Sequence, residues 1–517
     1  MPVAARFDVV IVGAGPAGCV LARRLSEDGD RTVLLLEAGP DYGPDLAAWP
    51  EDLRDPSDTW TESHPWGYVH AGRPEDRPLA LPRGRVVGGS SAINACLWLR
   101  GSAADYDEWG ALGNRGWSFA DLLPYFRMCE ADPVGGPLHG TDGPIPVSRV
   151  ADAELSPVDR GVVAAAESLG FARVDDANGE PAQRPGVGPM PKNVANGIRM
   201  NSAFTYLAPA RSRPNLTVIA DTLVDAVVVA DGAAVGVVDA DGRTFAGGAV
   251  ILCAGAYGSP AILLRSGIGP AADLGAVGID VVVDRPGVGA NLLDHPLVAM
   301  AESDDLGAYA VNARYARTAT SFIRTLIKAR SSQATGEIDL HVYHGHYFDE
   351  DSDACAAWFI LSLAHARSRG RVRLTSRDPA STLDIDHRHL SEPSDLEACC
   401  DGIELITQLL TAEPLAAMVD PVPGLAPTWR GRDELRAWVS DHVATTYHPS
   451  STCRMAPKED PTAVVDHAGR VHGIAGLRVV DASIFPTGPR ANLHFTTVAV
   501  AEKLAADFRN GDVSTVH

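Results

Sequence analysis

Three glycines near the N-terminus have the spacing of a phosphate-binding turn. Gly13, Gly15 and Gly18 form a Gly-x-Gly-x-x-Gly pattern directly after an apolar run at 9–12. In this pattern the first glycine allows the tight turn, the second lets the backbone approach a pyrophosphate, and the third lets the helix pack close to the strand. The free N–H groups at the start of that helix attract anionic phosphates. The spacing therefore predicts that the chain binds a dinucleotide.

An acidic residue completes this nucleotide-binding pattern. An amphipathic run after the glycine turn predicts a helix, and a second apolar run at 33–36 ends on Glu37. A carboxylate at the end of the second strand can accept hydrogen bonds from the hydroxyl groups of a ribose. Strand, turn, helix, strand and acid together predict a dinucleotide-binding unit. The pattern is compatible with both NAD and FAD.

A second group of small residues lies at 88–91, where the chain reads Gly-Gly-Ser-Ser. Such a patch lets a bulky planar ligand lie against the backbone, and Ser90 and Asn94 could form hydrogen bonds with it. A plain glycine turn followed by a capped helix explains the same residues equally well. Gly88, Ser90 and Asn94 are therefore candidate binding residues, with a structural role as the alternative.

His341, His344 and His346 lie close to Asp339 and have side chains of the types that bind metal ions. Because side chains alternate along a strand, His344 and His346 share one face of a predicted strand while His341 lies on the other. This arrangement does not bring the three rings together. We therefore predict no metal site, with pocket lining or ordinary packing as the alternatives.

The segments around these residues are those of an α/β protein. A continuous apolar run at 249–254 predicts a buried strand that ends at Gly255 and Gly258, where α/β sheets place ligands. Asp231-Gly232 between two apolar runs predicts a hairpin. Residues 301–443 instead mix period-two segments with helical ones at 396–410 and 432–442. We predict that this part is a second domain inserted into the dinucleotide-binding fold.

Composition narrows the range of partners. The chain has 517 residues, a formal net charge of −22 and 45% hydrophobic residues. Such an acidic chain argues against nucleic acid and against anionic membrane as partners. Its eight cysteines show no paired spacing, and no apolar run is long enough to cross a bilayer. We predict a cytoplasmic protein, and the many alanines and arginines suggest a GC-rich bacterial gene.

Several segments, in order along the chain, match one known family. They are the opening stretch 7–39, RGRVVGGSSAIN at 83–94, DLLPYF at 121–126, GSPAILLRSGIGP at 258–270, RPGVGANLLDHP at 285–296, YHPSSTCRM at 447–455 and VVDASIFP at 479–486. Over nearly its whole length the chain resembles the glucose–methanol–choline (GMC) flavoprotein oxidoreductases. Ordered motifs of this kind are far more specific than one glycine turn.

The resemblance implies FAD as the cofactor and an α/β fold in which a doubly wound, Rossmann-like FAD-binding domain carries an inserted α+β substrate-binding domain on an antiparallel sheet. We assign residues 1–150, 190–300 and 445–517 to the FAD-binding domain, and 151–189 and 301–444 to the substrate-binding domain. Family members that attach FAD covalently use a histidine in the glycine-serine segment, and the matching position here is Ile93. FAD is therefore expected to bind noncovalently.

The family typically oxidises an alcohol carbon: a base takes the hydroxyl proton and a hydride passes to flavin N5. The position that matches the base is His448, and the second catalytic position, a histidine or asparagine in the family, falls at His494. A neutral imidazole, with an ordinary pKa of ~6.5, can take a proton at working pH. A hydroxynitrile lyase on the same FAD scaffold is the alternative activity. A noncatalytic flavin-binding protein is a third hypothesis.

The resemblance also implies roles for cofactor-binding residues. Gly13, Gly15 and Gly18 would face the pyrophosphate, Glu37 the ribose, and Val224 the adenine. The positions expected near the flavin are Arg85, Gly88, Ser90, Asn94, Asp481, Ala482, Asn492 and Thr497. The chain departs from the family at two places. It has Phe495-Thr496 where many members have proline before the final threonine, and Ser451 where the family commonly has glycine.

The substrate is expected to be a small molecule with an alcohol group. The compact length leaves little room for extra lids, which favours a small or aromatic primary alcohol. A sugar, a sterol-like alcohol and a peptide-derived redox cofactor stay compatible with the sequence. The electron acceptor is either oxygen or another redox partner, and the sequence favours no particular oligomeric state.

Overall fold

Two large sheets and the helices around them organise the chain. The computed structural model describes residues 6–57, 63–71, 78–179, 184–302, 307–316, 321–349 and 354–511. Every structural statement below concerns these residues. Within them, no helix is both long enough and apolar enough to cross a lipid bilayer.

The first sheet has seven strands, and the predicted apolar strand Phe7–Val12 lies at its centre. This strand pairs in parallel with Val33–Leu36 on one side and with Thr244–Leu252 on the other. Strands in the middle of such a sheet are covered on both faces, so they need continuous apolar residues, and every residue of Val33–Leu36 is buried. The remaining strands are Leu216–Ile219, Val224–Ala230, Ala233–Asp239 and Leu477–Val479. The predicted hairpin is confirmed, since Val224–Ala230 and Ala233–Asp239 pair antiparallel.

The second sheet has nine strands. They are Ala172–Arg173, Gly186–Pro189, Pro296–Ala299, Tyr309–Val311, Ser321–Ala329, Leu340–Asp349, Ala354–Leu363, Val419–Pro421 and Val443–Thr445. All pairings are antiparallel except that of the first two strands, which is parallel. Pro296–Ala299 joins this sheet just before the predicted domain boundary at 301. The domain division stays a prediction.

The two faces of the second sheet have different neighbours because side chains alternate along each strand. In Ala354–Leu363, Phe359 and Leu361 are buried against an apolar core that includes residues of helix Pro393–Thr411. Trp358 and Ile360 point to the opposite face, where they line a large cavity. This alternation supplies the cavity with an apolar wall.

Eleven α-helices occur in the described part of the chain. They are Pro16–Leu25, Glu51–Arg54, Ala103–Ala111, Phe119–Cys129, Pro157–Ser168, Gly255–Arg265, Ala271–Ala276, Ala313–Ala316, Pro393–Thr411, Arg432–His442 and Leu493–Arg509. The predicted helices at 396–410 and 432–442 are confirmed. Leu493–Arg509 packs on both Pro16–Leu25 and Phe119–Cys129, so the end of the chain returns to its beginning.

Short strand pairs and 3-10 turns complete the structure. The pairs are Glu130–Ala131 with Ile145–Pro146, Val194–Ala195 with Ile198–Arg199, Ile268–Gly269 with Val283–Asp284, and Arg371–Leu374 with Leu383–Asp386. Two 3-10 turns, Gly89–Ala92 and Ala482–Ile484, lie at the cavity and carry predicted site residues.

Candidate active site

A cavity of about 540 Å³ extends from the glycine turn of the first sheet to the inner face of the second. Most of the residues predicted for the site line it, although they come from distant parts of the chain. These are Gly13, Gly15, Glu37, Arg85, Ser90, Asn94, Val224, His448, Asp481, Ala482, Asn492, His494 and Thr497. Gly18 and Gly88 lie behind the lining.

The geometry of the glycine turn leaves room for a ligand at one residue only. A Cβ atom on Gly13 would lie 2.6 Å from the Cys253 carbonyl oxygen, and one on Gly18 would lie 1.9 Å from the Gly13 carbonyl oxygen. A Cβ atom on Gly15 would meet nothing within 4 Å. Gly13 and Gly18 are therefore needed for packing, whereas Gly15 faces open space at the N-terminus of helix Pro16–Leu25, whose free N–H groups can bind an anion.

Glu37 is held at the edge of this turn by backbone groups. One carboxylate oxygen accepts a hydrogen bond from the Ala14 N–H at 2.8 Å, and the other accepts from the Gly39 N–H at 3.0 Å. Burial raises the pKa of Glu37 to about 7, against the lowering effect of these N–H donors. The side chain is therefore fixed in the cavity wall, and its predicted contact with a ribose stays a prediction.

The glycine-serine segment contacts the first turn through Gly89. The Gly88 N–H donates to the Ala14 carbonyl, while a Cβ atom on Gly89 would lie 2.7 Å from Gly15 Cα. The segment forms a single 3-10 turn, Gly89–Ala92, rather than the helix that the sequence alternative describes. We named Gly88 from the sequence and missed Gly89, although the adjacent glycines were the available signal.

Arg85, Ser90 and Asn94 each have partners within the cavity wall. Arg85 Nε donates to the Ala38 carbonyl at 3.2 Å, and the Ser90 hydroxyl accepts from the Gly84 N–H at 3.3 Å. Asn94 Oδ1 accepts from the Cys96 N–H at 3.0 Å. These bonds hold the polar groups along the middle of the cavity, between Glu37 and the histidines.

The segment at 481–497 closes the cavity from the other end of the chain. The Asp481 carboxylate accepts from the Gly255 N–H at 2.9 Å and from the Ser259 hydroxyl at 2.6 Å, so it ties this segment to helix Gly255–Arg265. The Ala482 carbonyl accepts from the Ser451 N–H at 3.1 Å. Thr497 donates its hydroxyl to the Leu493 carbonyl at 2.8 Å, within the first turns of helix Leu493–Arg509. Asp481 and Ala482 thereby connect the cavity wall to the His448 loop.

His448 lies in the loop that follows strand Val443–Thr445, and it contacts two side chains. Its Nδ1 is 3.0 Å from Nδ1 of His295, and its Nε2 is 3.1 Å from the amide nitrogen of Asn492. Burial lowers the pKa of His448 well below its ordinary value, and the His295 and Arg83 side chains lower it further. The imidazole is therefore neutral at pH 7 and can accept a proton.

The His448 loop has an unusual backbone. Tyr447 and Ser451 have φ angles of 63° and 70°, in the left-handed region that favours glycine. This explains why the family commonly has glycine where this chain has Ser451. Backbone hydrogen bonds on both sides of the histidine hold the strained loop. Before it, the Thr446 N–H donates to the His295 carbonyl, and after it, Ser450 exchanges backbone bonds with Leu293.

Asp294 connects the loop to the rest of the protein. Its Oδ1 accepts from the His448 N–H at 2.8 Å and from the His295 N–H at 2.9 Å. Its Oδ2 accepts from the Thr445 hydroxyl and is 3.3 Å from His389 Nε2. Burial alone would raise the pKa of Asp294, but these donors and the nearby histidines hold it well below the usual range. Asp294 and His295 lie in the segment 285–296 that resembles the family, and no role was predicted for either residue from the sequence.

His494 is the second residue of helix Leu493–Arg509 and lies in the cavity wall. Its ring nitrogens are 3.4 Å from the Asn94 amide nitrogen and 3.4 Å from the Ser202 hydroxyl, and its edge meets Trp98. Burial lowers the pKa of His494 to about 4, so the ring is neutral. The amide that contacts His448 Nε2 belongs to Asn492, a residue that the sequence associated with the cofactor.

Two histidines of strand Leu340–Asp349 have hydroxyl groups as their hydrogen-bond partners. His344 Nε2 is 2.5 Å from the Thr325 hydroxyl, and His341 Nδ1 is 3.1 Å from the Tyr343 hydroxyl. Tyr343, which lies between them, lines the cavity.

Two other sets of metal-ligand types converge within 4.8 Å: Asp294 with His387 and His389, and Glu130 with Asp132 and His139. In each set the side chains already pair with one another or with neighbours, because Tyr257 hydrogen-bonds His387 and Arg149 pairs with Asp132. These sets therefore serve as polar clusters that join segments of the chain.

Comparison with known proteins places the chain among flavoenzymes. A family model described as GMC oxidoreductase matches residues 7–297, and its C-terminal counterpart matches residues 366–501. The chain is 36% identical to an oxygen-dependent choline dehydrogenase of Photobacterium profundum, over 96% of this chain and 92% of that protein. A protein of the same name from Yersinia pseudotuberculosis is 37% identical, over 97% and 94%.

Solved structures agree with these matches. The pyridoxine 4-oxidase of Mesorbium loti is 31% identical, with a TM-score of 0.86 over 99% of this chain and all of that one. A formate oxidase is 26% identical, with a TM-score of 0.84 over 98% and 99%. The similarity therefore extends over both sheets and the cavity between them.

Proposed function

The chain belongs to the GMC oxidoreductase family, and from this premise we propose that it oxidises an uncharged aromatic primary alcohol to the aldehyde, with His448 as the base. It is an FAD-dependent enzyme that oxidises alcohols. The observation that supports the proposed substrate is the apolar, aromatic end of the cavity beside His448. The relatives named above have oxidoreductase names, and nothing among them favours the lyase alternative.

The residues predicted for the cofactor fit FAD. The open space at Gly15, the fixed carboxylate of Glu37 and the small-residue turn at Gly89 form a continuous wall for an extended dinucleotide. The buried Oδ1 atom of Asn492 has no hydrogen-bond partner in the described structure, so a ligand group at the histidine end could satisfy it. We propose noncovalent binding by Gly15, Glu37, Arg85, Ser90, Asn94, Val224, Asp481, Ala482, Asn492 and Thr497. Gly13 lines the cavity but allows the turn by its packing, and Gly18 and Gly88 are packing residues behind the lining. The domain division given above is part of the same proposal.

The proposed mechanism assigns a proton position to each polar group. A neutral His448 takes the hydroxyl proton of the alcohol at Nε2, the ring nitrogen that faces Asn492. His494 and Asn492 can hold the alcohol oxygen by hydrogen bonds, which fixes the direction of the reacting C–H bond. FAD held by the residues named above would supply the acceptor for the hydride that leaves that carbon. The apolar wall excludes water from the reacting alcohol.

Charges around the cavity favour an uncharged substrate. Among the described lining residues the carboxylates are Glu37, at the glycine turn, and Asp481, whose oxygens already accept several hydrogen bonds. The aromatic end is formed by Leu97, Leu297, Phe322, Tyr343, Trp358 and Ile360. Lys192 Nζ lies 5.2 Å from the centre of the Phe322 ring, so that ring already interacts with a cation. A quaternary ammonium group would find no carboxylate here.

Choline is the second candidate substrate, because relatives named above are choline dehydrogenases. The name of the pyridoxine 4-oxidase supports the first candidate, an aromatic primary alcohol, since pyridoxine is a hydroxymethyl-substituted pyridine.

Two alcohols of the same shape separate the effect of charge from that of shape, since 3,3-dimethylbutan-1-ol has carbon in place of the choline nitrogen. Under anaerobic conditions we expect benzyl alcohol and dimethylbutanol to bleach the flavin at least ~10-fold faster than choline, because the lining here offers the ammonium no carboxylate and a deficit of ~1.4 kcal/mol corresponds to that factor. Stopped-flow absorbance measures these rates. Subsequent mixing with oxygen tests the acceptor implied by the names of the relatives.

A Lys192→Met variant tests whether the positive charge of Lys192 disfavours a cationic substrate. It keeps the long side chain and removes the cation behind Phe322, so the preference for dimethylbutanol over choline should narrow. Faster reduction by choline than by dimethylbutanol in the unchanged enzyme would refute the proposed substrate class and favour the second candidate.

The low pKa of His448 predicts an unusual pH profile. A base acts when it is neutral, so the rate is lost as pH falls through the pKa of the folded protein. Because burial places that pKa well below the ordinary ~6.5, reduction by a non-titrating alcohol should stay level as pH falls from about 8 through 6.5. Single-turnover reduction across pH 5–9, with flavin absorbance confirming bound FAD, measures the profile. If the rate falls to half of its maximum at pH ~6.5 or above, the pKa of the His448 imidazole is not lowered by burial, and the prediction is wrong.

We propose a cytoplasmic location. All eight cysteines are buried free thiols, as expected for a protein kept in a reducing compartment. The bacterial sources of the relatives support a bacterial origin.

A further inference from the structure

We propose that His295 is a positioning residue: its Nδ1 accepts the Nδ1–H of His448 and so stabilises the tautomer of His448 in which Nε2 carries no proton and can take one from the substrate. This inference rests on the proposed role of His448 as the base. It concerns a residue to which neither the sequence motifs nor the relatives named above assign a task.

Strand pairing brings the two histidines together across 153 positions of chain. Pro296 pairs with Thr445, and the Thr446 N–H donates to the His295 carbonyl at 2.9 Å, so His295 directly adjoins the His448 loop. The two rings meet nearly edge to face, with 5.1 Å between their centroids and an angle of 81°. Asp294 accepts both backbone N–H groups and keeps the rings in this relation.

A contact between two Nδ1 atoms holds one proton. The 3.0 Å separation is a hydrogen-bond distance, so one ring must donate N–H and the other must accept with a lone pair. Both rings are buried, and burial lowers the pKa of His295 to about 4, so both are neutral at pH 7. A neutral imidazole carries one proton, and the tautomer of one ring therefore determines that of the other.

The Asn492 amide indicates which ring donates. Its nitrogen, a donor, is 3.1 Å from His448 Nε2, so this atom is the acceptor and the proton of His448 lies on Nδ1. The Nδ1 atom of His295 must then accept from His448 through its lone pair, and the proton of His295 lies on Nε2.

This arrangement prepares the base for its task. The alcohol proton moves to His448 Nε2, and His448 becomes an imidazolium with its Nδ1–H still bonded to the His295 lone pair. His295 therefore accepts throughout, and no proton has to leave Nδ1 before the reaction. With the opposite tautomer, His448 Nε2 would carry a proton and could not act as a base.

Nitrogen-15 NMR of the histidine-labelled holoenzyme tests the tautomer directly. Comparison with a His448→Gln sample assigns the resonances of His448. We expect an unprotonated Nε2 and a protonated Nδ1 in the unchanged protein, and a weaker preference for this tautomer in His295→Leu, where the Asn492 amide alone favours it. A protonated Nε2 in the unchanged holoenzyme at pH 7 would overturn the proposal without the use of any His295 variant.

Kinetics of two variants separate positioning from bulk packing. His295→Leu fills the space without an acceptor, whereas His295→Asn can place its Oδ1 near the position of Nδ1. Flavin reduction should slow by about 10- to 1,000-fold in His295→Leu, and His295→Asn should recover at least about 10-fold of that loss. Substrate affinity, FAD content and thermal midpoint should stay close to those of the unchanged enzyme.

If flavin reduction is equally fast in His295→Leu and His295→Asn, His295 contributes only packing, and the proposal is wrong. Failure of the base assignment itself has a different signature. In that case replacement of His448 leaves reduction normal, while the NMR tautomer of the unchanged protein is as expected.

Discussion

Replacing His448 with alanine is expected to slow anaerobic flavin reduction by about 100- to 10,000-fold, the range over which a positioned general base contributes. The reason is that His448 is the neutral, buried imidazole whose Nε2 lies at the cavity beside the Asn492 amide. Without it, the hydroxyl proton would have to leave to water, which the apolar wall excludes. Stopped-flow mixing of the oxidised variant with saturating alcohol measures the rate constant directly.

The same variant should bind FAD as the unchanged enzyme does, because His448 is not among the residues proposed to hold the cofactor. His472→Ala is a suitable control, since His472 is partly buried, contacts the Ala456 carbonyl and does not line the cavity. It should reduce at the normal rate. Normal reduction in His448→Ala, with FAD fully bound, would remove His448 from the mechanism.

Replacing Gly15 with valine is expected to weaken FAD binding by at least about 100-fold, or ~2.7 kcal/mol, while the fold persists. Gly15 has φ −72° and ψ −169°, an extended conformation open to any residue, and an added Cβ meets no protein atom within 4 Å. An added side chain therefore extends into the cavity, where it would compete with the pyrophosphate proposed to lie at the helix N-terminus. Equilibrium titration of the FAD-free protein with FAD, followed by fluorescence, measures the change.

Gly15 is the suitable glycine for this substitution, because its neighbours in the turn are tightly packed. A Cβ atom on Gly18 would lie 1.9 Å from the Gly13 carbonyl oxygen, so a Gly18 variant would change the turn itself as well as FAD binding. Gly275→Val is the matched control, since Gly275 lies in the short helix Ala271–Ala276 with no atom near its added Cβ. If Gly15→Val binds FAD as tightly as Gly275→Val, the pyrophosphate does not lie at this turn.

Local rules predicted the elements of the fold well. Continuous apolar residues indicated the central strands, and Asp231-Gly232 indicated the hairpin, because both signals depend on near neighbours in the chain. Helix Arg432–His442 has the predicted bounds. The glycine-serine segment shows the limit of such rules, since it forms one 3-10 turn at 89–92 and packs Gly89 against Gly15, a residue distant in the chain.

Local rules did not reveal the partners of the proposed base. Asp294 and His295 were visible in the sequence as part of a recognised segment, yet nothing in their spacing indicates a contact with a histidine 153 positions later. The position of Asn492 is a similar case. Sequence resemblance associated it with the cofactor, whereas the structure places its amide against His448 Nε2.

The sequence by itself determined the dinucleotide turn, the family and the two histidines of the proposed mechanism, because each of these is encoded in a short run of residues. Only the tertiary structure decided what surrounds His448. The pairing of Pro296–Ala299 with Val443–Thr445 brings Asp294 and His295 to the loop, and alternation along Ala354–Leu363 turns Trp358 and Ile360 towards the cavity. Pairing register and packing depend on the whole chain, so no local pattern contains them.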